Sequence, residues 1–459
     1  MLEQQAVAAF RAQLRGKLIE RDDPNYDEVR KVYNAMIDKR PSLIAQCADV
    51  ADVISAVNFG RDHNLTLAVR GGGHNGPGFG TCDDGLVIDL SPMRGIRVDP
   101  ATSTVRVEGG CVWADVDHAT HAFGLAVPSG FLSSTGVGGL TLGGGIGYLT
   151  RKYGLTIDNL LGVDMVLADG RFVTASLEEN EDLFWAVRGG GGNFGVVTSF
   201  LFRGNPVHTV YGGPIFWPME KAADLIHFWQ DFISNAPEDM NGWFAFVTVP
   251  PVAPFPEQYH LHKMCAIVWC YTGGLEKAEA AFAPIRQFSP PAIDFAGPIP
   301  FPMLQGMFDA LYPAGLQWYW RADFFNGYDD KAIGLHVKYG SQLPTMHSTM
   351  HIYPINGRAG RVGAQETAWG YRNTKFAQVI VGVDPSPQNN DRMIGWARDY
   401  WMALHPYSAG GGYVNMIMDE GEERVKAAYG HNYDRLAQVK ATYDPRNLFH
   451  VNQNIKPAA

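Results

Sequence analysis

The chain has 459 residues, of which 46% are hydrophobic and 12% aromatic, a composition typical of a folded globular protein. Its 37 basic and 47 acidic residues give a net charge of -10, which disfavours nucleic acid or an anionic membrane as the main partner and favours a small-molecule substrate. The five cysteines are odd in number and form no C-x-x-C pair, so the sequence indicates neither a metal site nor a disulfide framework.

The first residues, Met1 to Gln5, carry an acid where a secretory signal would need basic residues followed by an apolar run. No stretch of about 18 apolar residues occurs anywhere, so no membrane span is predicted. We therefore expect a cytoplasmic protein with no membrane partner.

Helix and strand patterns mix along the first 200 residues without regular alternation, which predicts an α+β arrangement. Helical spacing predicts helices at 5–14, at 50–62 with Asp49 as the N-cap, and at 112–121. Strands are expected at 41–47, 65–69, 86–90, 96–98, 105–107, 160–168, 171–175 and 196–202, with 86–107 as a meander. The Asp169-Gly170 pair predicts a hairpin turn.

Two glycine clusters bracket one histidine. The first is Arg70-Gly71-Gly72-Gly73-His74-Asn75, and the second runs from Gly136-Val137-Gly138-Gly139 to Gly143-Gly144-Gly145-Ile146-Gly147. Such density is tolerated where the backbone turns through positive φ or approaches a ligand more closely than a Cβ permits. Exposed N–H groups along such loops form anion sites, so a phosphorylated cofactor is expected here. No Walker lysine motif is present.

A third cluster, Gly190 to Gly195, satisfies G-x-G-x-x-G but is predicted not to be a dinucleotide fingerprint. That fingerprint follows a strand and opens a helix, whereas here a helix ending at Val187 precedes it and a strand from Val196 follows. A Rossmann domain is therefore not expected.

The two clusters, the run from Asp182 to Gly191, the Tyr413-Val414-Asn415 triplet and the C-terminal run from Tyr429 to Phe449 occur in one order along the chain. In these motifs the sequence resembles the berberine-bridge-enzyme-like branch of the vanillyl-alcohol-oxidase superfamily, whose members bind FAD in a PCMH-type domain. The resemblance spans nearly the whole chain.

The resemblance implies a two-domain FAD-linked oxidase fold with a discontinuous FAD-binding domain. Its parts would be residues 1–205 and 411–459, with a substrate domain at 206–410 built as an antiparallel sheet covered by helices. The chain becomes rich in proline and aromatic residues after Pro206, as in Pro250 to Pro256, which agrees with a boundary there. Helices are expected at 421–428 and 433–442, separated at Gly430.

The resemblance also implies a set of cofactor contacts. These are Arg70, Gly71, Gly72, Gly73, His74, Asn75, Thr135, Gly136, Gly138, Gly139, Gly143, Gly144, Gly145, Gly147 and Asn415. Family members attach the 8α-methyl group of the flavin to the histidine of this first cluster. Many add a second tether through a cysteine four residues before G-V-G-G, where this chain has Leu132, so we predict covalent FAD through His74 alone.

Tyr413 is the expected catalytic residue, because in the family this tyrosine faces the reactive flavin nitrogen. With a usual pKa near 10 it is a poor base unless its surroundings lower that pKa, and a packed aromatic on the last strand is the alternative. Alternate residues of Trp318 to Arg321 could line a pocket, with Arg321 binding a carboxylate or pairing with Asp323. His347 and His351 are expected to be a surface or core pair rather than metal ligands.

The sequence leaves two functions open. The favoured one is hydride removal from a C–OH or C–N centre of a sugar or secondary metabolite, with reoxidation by molecular oxygen to hydrogen peroxide. Thr135 precedes G-V-G-G, where a bulky residue could obstruct oxygen, although threonine could also only bond within its loop. The alternative is an oxidative cyclase, a dehydrogenase with another acceptor, or a flavin-binding protein without turnover.

Overall fold

The computed structural model of the protein describes residues 3–459. Within that range the chain forms three large β-sheets and one two-stranded sheet, and helices pack against the large sheets, which confirms the α+β class. No helix in the described range is both long and apolar enough to cross a membrane.

The first sheet has four strands in the order β1-β2-β4-β3. Its strands are β1 Lys17–Glu20, β2 Leu43–Gln46, β3 Leu67–Arg70 and β4 Leu86–Asp89, and its helices are α1 Gln4–Gln13, α2 Tyr26–Val29 and α3 Val50–Asp62. Strands β2, β4 and β3 are parallel. Helix α3 begins as predicted, because the Asp49 side chain accepts a hydrogen bond from the Asp52 N–H at 3.2 Å. Strand β3 delivers the first glycine cluster from the edge of this sheet.

The second sheet has five antiparallel strands in the order β5-β6-β10-β8-β9. They are β5 Ile96–Asp99, β6 Thr104–Glu108, β8 Leu160–Val166, β9 Phe172–Ser176 and β10 Val196–Arg203; the short β7 Leu125–Ala126 pairs with β11 Asn205–Pro206. Helices α4 Trp113–His121, α5 Val137–Gly143, α6 Thr150–Tyr153 and α7 Glu181–Val187 lie between these strands. Helix α5 contains the start of the second glycine cluster.

The third sheet is antiparallel and joins eight strands, with β15-β12-β14-β13-β18-β19-β17 in line and β16 also paired to β12. They are β12 Thr209–Pro218, β13 Met240–Thr248, β14 Lys263–Tyr271, β15 Ile293–Asp294, β16 Gly297–Pro300, β17 Gln317–Phe325, β18 Thr349–Pro354 and β19 Phe376–Asp384. The helices of this part are α8 Ala222–Asn235, α9 Ala278–Phe288, α10 Phe301–Gln305, α11 Asp330–Gly340, α12 Arg358–Arg361 and α13 Asn390–Leu404.

Alternate residues of this large sheet face opposite ways. On β13, Phe244 and Phe246 belong to a core with Trp229 of α8 and Tyr400 of α13, so this face is covered by helices. The other face, which includes Trp243, joins the core of the second sheet. That inner face lies towards the glycine clusters.

The chain ends with α14 Glu422–Tyr429 and α15 Tyr433–Tyr443, close to the predicted bounds. Lys440 of α15 is fully buried and donates to Asp444 at 2.7 Å and to the carbonyl of Asn193 at 2.6 Å. The C-terminal segment is therefore fastened to the loop that follows α7.

Arg151 of α6 connects the second sheet to the third. Its buried guanidinium donates to the carbonyls of Pro237 at 3.0 Å and Ala236 at 2.9 Å, and also to that of Met240, the first residue of β13. Nearby, the Asn241 amide donates to the Tyr148 carbonyl at 2.8 Å. These bonds hold the start of β13 against the segment that follows the second glycine cluster.

The predicted meander at 86–107 is wrong. Strand β4 belongs to the first sheet between β2 and β3, whereas β5 and β6 begin the second sheet. The apolar content of the three segments is similar, and parallel pairing of β4 with two distant strands leaves no mark in the local sequence. The other strands and helices predicted in the first 205 residues are present within a few residues of their expected ends.

Candidate functional site

One continuous cavity of about 990 Å³ lies between the glycine clusters and the inner face of the large sheet. Among residues 3–459, Arg70 is the single formally charged side chain that lines it. Its guanidinium pairs with buried Asp89 at 2.8 Å and donates to the Lys31 carbonyl, so its charge is already compensated. Arg70 thus lies at the cavity wall and orders the start of the glycine loop through these two partners.

The first glycine cluster lines the cavity with backbone. A Cβ at Gly72 would collide with the backbone of Gly136, so the two clusters touch main chain to main chain and neither position accepts a side chain. Among hydrogen bonds within residues 3–459, the N–H groups of Gly72, Gly73 and His74 have no acceptor. Asn75 also lines the cavity, and its side-chain oxygen accepts from the Phe79 N–H at 2.9 Å. The loop therefore presents free donors to the cavity while Asn75 fixes its turn.

His74 faces the cavity and stacks on Tyr33, with ring centroids 3.8 Å apart and planes inclined by 17°. Tyr33 is fixed in turn, since its hydroxyl donates to the Tyr312 carbonyl at 2.6 Å. Burial lowers the pKa of His74 to about 4, although a hydrogen bond that the ring donates to the backbone of Ser134 acts in the opposite direction. The imidazole is therefore neutral at physiological pH and has a lone pair available for bonding.

The second glycine cluster divides into two parts. Thr135, Gly136, Gly138 and Gly139 line the cavity, and a Cβ added at Gly139 would meet nothing within 4 Å. The later glycines Gly143, Gly144, Gly145 and Gly147 do not line it: added Cβ atoms there would collide with Asn415, Trp369, Thr156 and the Ser129 carbonyl respectively. The expected cofactor contacts of these four glycines are thus not supported, because close packing against protein explains their lack of side chains.

Tyr413 is buried at the cavity wall, and its hydroxyl oxygen accepts two hydrogen bonds. The donors are the Gly145 N–H at 2.8 Å and the Asn415 amide at 2.9 Å. Burial raises the pKa of Tyr413 to about 12, against the effect of these two bonds. Asn415 also donates to the Leu140 carbonyl at 3.1 Å. The arrangement makes Tyr413 a fixed hydrogen-bond donor and a poor base.

The structure adds a pair that the sequence did not indicate. His351 and Tyr353, on the inner face of β18, line the cavity with the His351 Nδ1 2.6 Å from the Tyr353 hydroxyl. Burial lowers the pKa of His351 to about 3, and Trp243 lies beside the imidazole with ring centroids 4.7 Å apart. His351 is buried, as one of the two expected positions requires, and the alternation of β18 directs it towards the cavity, a role that the sequence did not predict.

The loop after α7 also lines the cavity and was not among the predicted cofactor contacts. Gly191, Gly192 and Asn193 line the cavity, as do Asn452 and Gln453 near the C-terminus. The sequence predicts that these glycines are not a Rossmann fingerprint and counts the run up to Gly191 among the family motifs, but it assigns them no ligand contact. Their density alone could have indicated a third backbone contact to the same ligand.

Aromatic rings line the part of the cavity that lies against the large sheet. Trp318 and Trp320 of β17 line the cavity, as the predicted alternation requires. Arg321 does not pair with Asp323: it binds Glu420, while Asp323 binds Arg424 at 2.6 Å and His405 at 2.8 Å. Consecutive strand residues face opposite sides, so Arg321 lies away from the cavity and is not available to bind a substrate carboxylate.

These features fit FAD. The free N–H groups of the first loop suit an anionic diphosphate, the missing side chain at Gly139 leaves room for a ligand, and the largely apolar walls suit a flat ring system. Among the described residues, no group of three or more potential ligands could hold a metal ion.

Comparison with known proteins agrees with this fit. Residues 41–176 match a family model described as FAD binding domain, and residues 412–456 match one described as berberine and berberine like. A FAD-linked oxidoreductase of Dictyostelium discoideum is 32% identical over 459 residues, covering 99% of this chain and 97% of the relative.

Solved structures show the same fold. The crystal structure of 6-hydroxy-D-nicotine oxidase from Arthrobacter nicotinovorans matches with a TM-score of 0.86 at 28% identity, covering 97% of this chain and 98% of that one. A chitooligosaccharide oxidase matches with a TM-score of 0.84 at 24% identity, covering 99% and 100% of the two chains.

Fold and cavity thus define an enzyme of the FAD-linked oxidoreductase class. Within that class the chain belongs to the berberine-bridge-enzyme-like family.

Proposed function

We propose that the protein oxidises a C–OH or C–N centre of a small secondary metabolite or sugar by hydride transfer to FAD. Molecular oxygen then reoxidises the reduced flavin and is itself reduced to hydrogen peroxide. The observation that carries the proposal is the meeting of His74, Tyr413 and the His351–Tyr353 pair in one cavity, whose single charged side chain among the described residues, Arg70, is already paired with Asp89. FAD bound there supplies the hydride acceptor, and the negative charge it gains would favour protonation of a nearby imidazole.

FAD is held, in this proposal, by residues 70–75, 135–139 and 191–193, with Asn415 fixing Leu140 beside it. His74 would form the covalent tether by itself. The stacked, neutral imidazole supports this role, and Leu132, which lines the cavity where relatives carry a second tether, has no thiol to offer. The chain then divides into a FAD-binding part, 1–205 with 411–459, and a substrate part, 206–410.

His351 is the proposed proton acceptor. With Nδ1–H donating to the Tyr353 oxygen, the ring presents the lone pair of Nε2 to the cavity. As the substrate carbon gives up a hydride, its hydroxyl or amine proton passes to Nε2 and a C=O or C=N bond forms. A low pKa makes the imidazole a weak base at rest, so transfer is favoured only as the hydride leaves.

Tyr413 has a different task. Both acceptor positions of its hydroxyl are filled by Gly145 and Asn415, so its own proton is directed outwards as a hydrogen-bond donor. This geometry supports a catalytic role by donation and argues against proton removal. Thr135 uses its backbone within the loop, where its carbonyl accepts from the Trp113 N–H at 3.0 Å, and its small side chain would leave oxygen a path.

The alternative remains an oxidative cyclase, a dehydrogenase with another electron acceptor, or a flavin-binding protein without turnover. Anaerobic mixing of the FAD-loaded protein with a panel of alcohols, amines, alkaloids and sugars separates these cases. A substrate bleaches the oxidised flavin, and admission of air then restores its colour with formation of peroxide. A protein that no compound bleaches would contradict the proposal, and slow recovery in air would indicate a dehydrogenase.

A further inference from the structure

The cavity continues past His351 along the large sheet, well beyond the glycine clusters. Register places Ala245 of β13 beside His351 of β18, Ala266 of β14 beside Ala245, and Phe216 of β12 beside Ala266. All four line the cavity. Three strand spacings of about 4.8 Å separate His351 from Phe216, so this row is about 14 Å long.

The row forms a furrow because its two middle members are alanines. The neighbouring inner-face residues are larger: Trp243 and Val268 lie on one side, and Val247 lies on the other. Methyl groups between such walls leave an open channel across the sheet. We call this channel, floored by Ala245 and Ala266, the alanine furrow.

Three phenylalanines close the far end of the alanine furrow. Phe216, Phe255 and Phe295 meet edge to face, with ring centroids 5.5 to 6.3 Å apart. The loop from Pro250 to Pro254 forms the rim above them. This is the proline-rich segment of the sequence, and it supplies apolar surface with few polar groups.

The floor of the alanine furrow offers few hydrogen bonds to a polar ligand. No charged side chain lines it within the described residues, and the Thr349 hydroxyl already donates to the Phe246 carbonyl at 2.7 Å, which leaves the Trp243 indole N–H and the Thr248 hydroxyl as unpaired polar groups of the cavity wall. A sugar ring placed there would lose more hydrogen bonds to water than these two groups replace, at a cost of about 1–3 kcal/mol for each unpaired group. An alkyl chain or hydrocarbon ring would instead gain from burial.

We propose that the alanine furrow is a substrate subsite for an apolar chain or ring, so that the substrate is a neutral molecule whose reacting C–OH or C–N group lies at His351. The inference rests on the proposed function for the position of the reacting group. It narrows the substrate class to hydrophobic secondary metabolites and excludes oligosaccharides.

The test uses 4-alkylphenols from 4-methylphenol to 4-heptylphenol as probes of the FAD-loaded protein, with binding followed by the perturbation of the oxidised flavin spectrum. Each added methylene should tighten binding about threefold, so the ratio of dissociation constants between the two ends of the series should reach about 100 or more. The measurement requires no turnover.

Two variants fill the alanine furrow. Ala266→Phe should reduce the ratio to below about 3, and Ala245→Leu, a smaller change, should reduce it at least tenfold, because the alkyl chain loses its channel. Ala280→Phe on the exposed side of α9 is the matched control and should keep the wild-type ratio. If Ala266→Phe does not fold, the ratios of dissociation constants measured for the wild type and for Ala245→Leu still test the inference.

A wild-type ratio near 1 would overturn the inference. So would bleaching of the flavin by oligosaccharides in the substrate panel, and that result would leave the proposed oxidase function intact. Purified protein without FAD would instead contradict the proposed function.

Discussion

The hydroxyl of Tyr413 accepts a hydrogen bond from the backbone N–H of Gly145 at 2.8 Å, across 268 residues of sequence. The contact joins the second glycine cluster to the C-terminal segment. It gives the later glycines a structural role although they do not line the cavity: they allow the loop to turn and present an N–H to the Tyr413 hydroxyl.

Replacing Tyr413 by Phe should slow anaerobic flavin reduction and leave flavin content unchanged, because it removes a hydroxyl and little volume. A loss of about 2 kcal/mol in the barrier corresponds to a roughly 30-fold slower reduction in stopped flow. Tyr433→Phe, on the nearby helix α15, is the matched control. Equal reduction rates for wild type and Tyr413→Phe would reject the catalytic role.

The covalent tether is tested by denaturation. Flavin fluorescence should remain with the wild-type band on a denaturing gel, whereas His74→Ala should release its FAD into the supernatant on acid precipitation. His118→Ala, at an exposed histidine of α4, should keep the flavin. Complete release of FAD from the wild type would exclude the tether.

His351→Gln should lower the rate of flavin reduction by about 10²- to 10⁴-fold, the usual contribution of a general base. Flavin content should not change, since His351 lies on the substrate side. Tyr353→Phe should lower the rate of flavin reduction less. It removes the hydroxyl that fixes the proton of His351 on Nδ1, but it leaves Nε2 in place to accept a proton. The control is His347→Gln, and a His351→Gln rate within threefold of wild type would contradict the proton-acceptor role.

The next prediction concerns molecular oxygen as the electron acceptor and is tested by substitutions of Thr135. If a small residue there leaves oxygen a path, Thr135→Leu should slow reoxidation of the reduced protein by an order of magnitude or more, with reduction unaffected. Stopped-flow mixing with oxygenated buffer measures both wild type and variant. Thr135→Val, similar in size to threonine, should reoxidise like the wild type if bulk is the cause, and like the leucine variant if the hydroxyl is the cause.

The buried histidine His336 should make the stability of the folded protein sensitive to acid. Burial lowers the pKa of His336 from 6.5 to about 3, so the unfolded chain binds a proton that the folded chain does not between these values. The free energy of unfolding therefore falls as pH falls through that window. His336→Gln should make this fall shallower by about 1.4 kcal/mol per pH unit, measured by urea unfolding at several pH values. His118→Gln is the control, and equal slopes for wild type and His336→Gln would contradict the assignment.

Local patterns predicted most helices and strands of the first 205 residues, and the family resemblance implied a cofactor contact for His74, which lines the cavity. The long-range pairing of strands could not be predicted in the same way. Nothing in the sequence near β4 shows that this strand lies between β2 and β3. His351 was missed for a related reason, since its importance depends on which face of β18 meets the cavity. The later glycines were assigned to the cofactor because sequence does not distinguish close packing against protein from close approach to a ligand.

The bonds of Arg151 to the carbonyls around the start of β13 have an evolutionary consequence. Separating segment 147–152 from the large sheet would leave a buried guanidinium and several carbonyls unpaired. Because the acceptors of Arg151 are backbone carbonyls, a segment grafted in place of residues 236–240 keeps the contact wherever its backbone follows the same path. Exchange of this part of the sheet between relatives is therefore limited by the course of the backbone and by the presence of the arginine, and not by the side chains at 236–240.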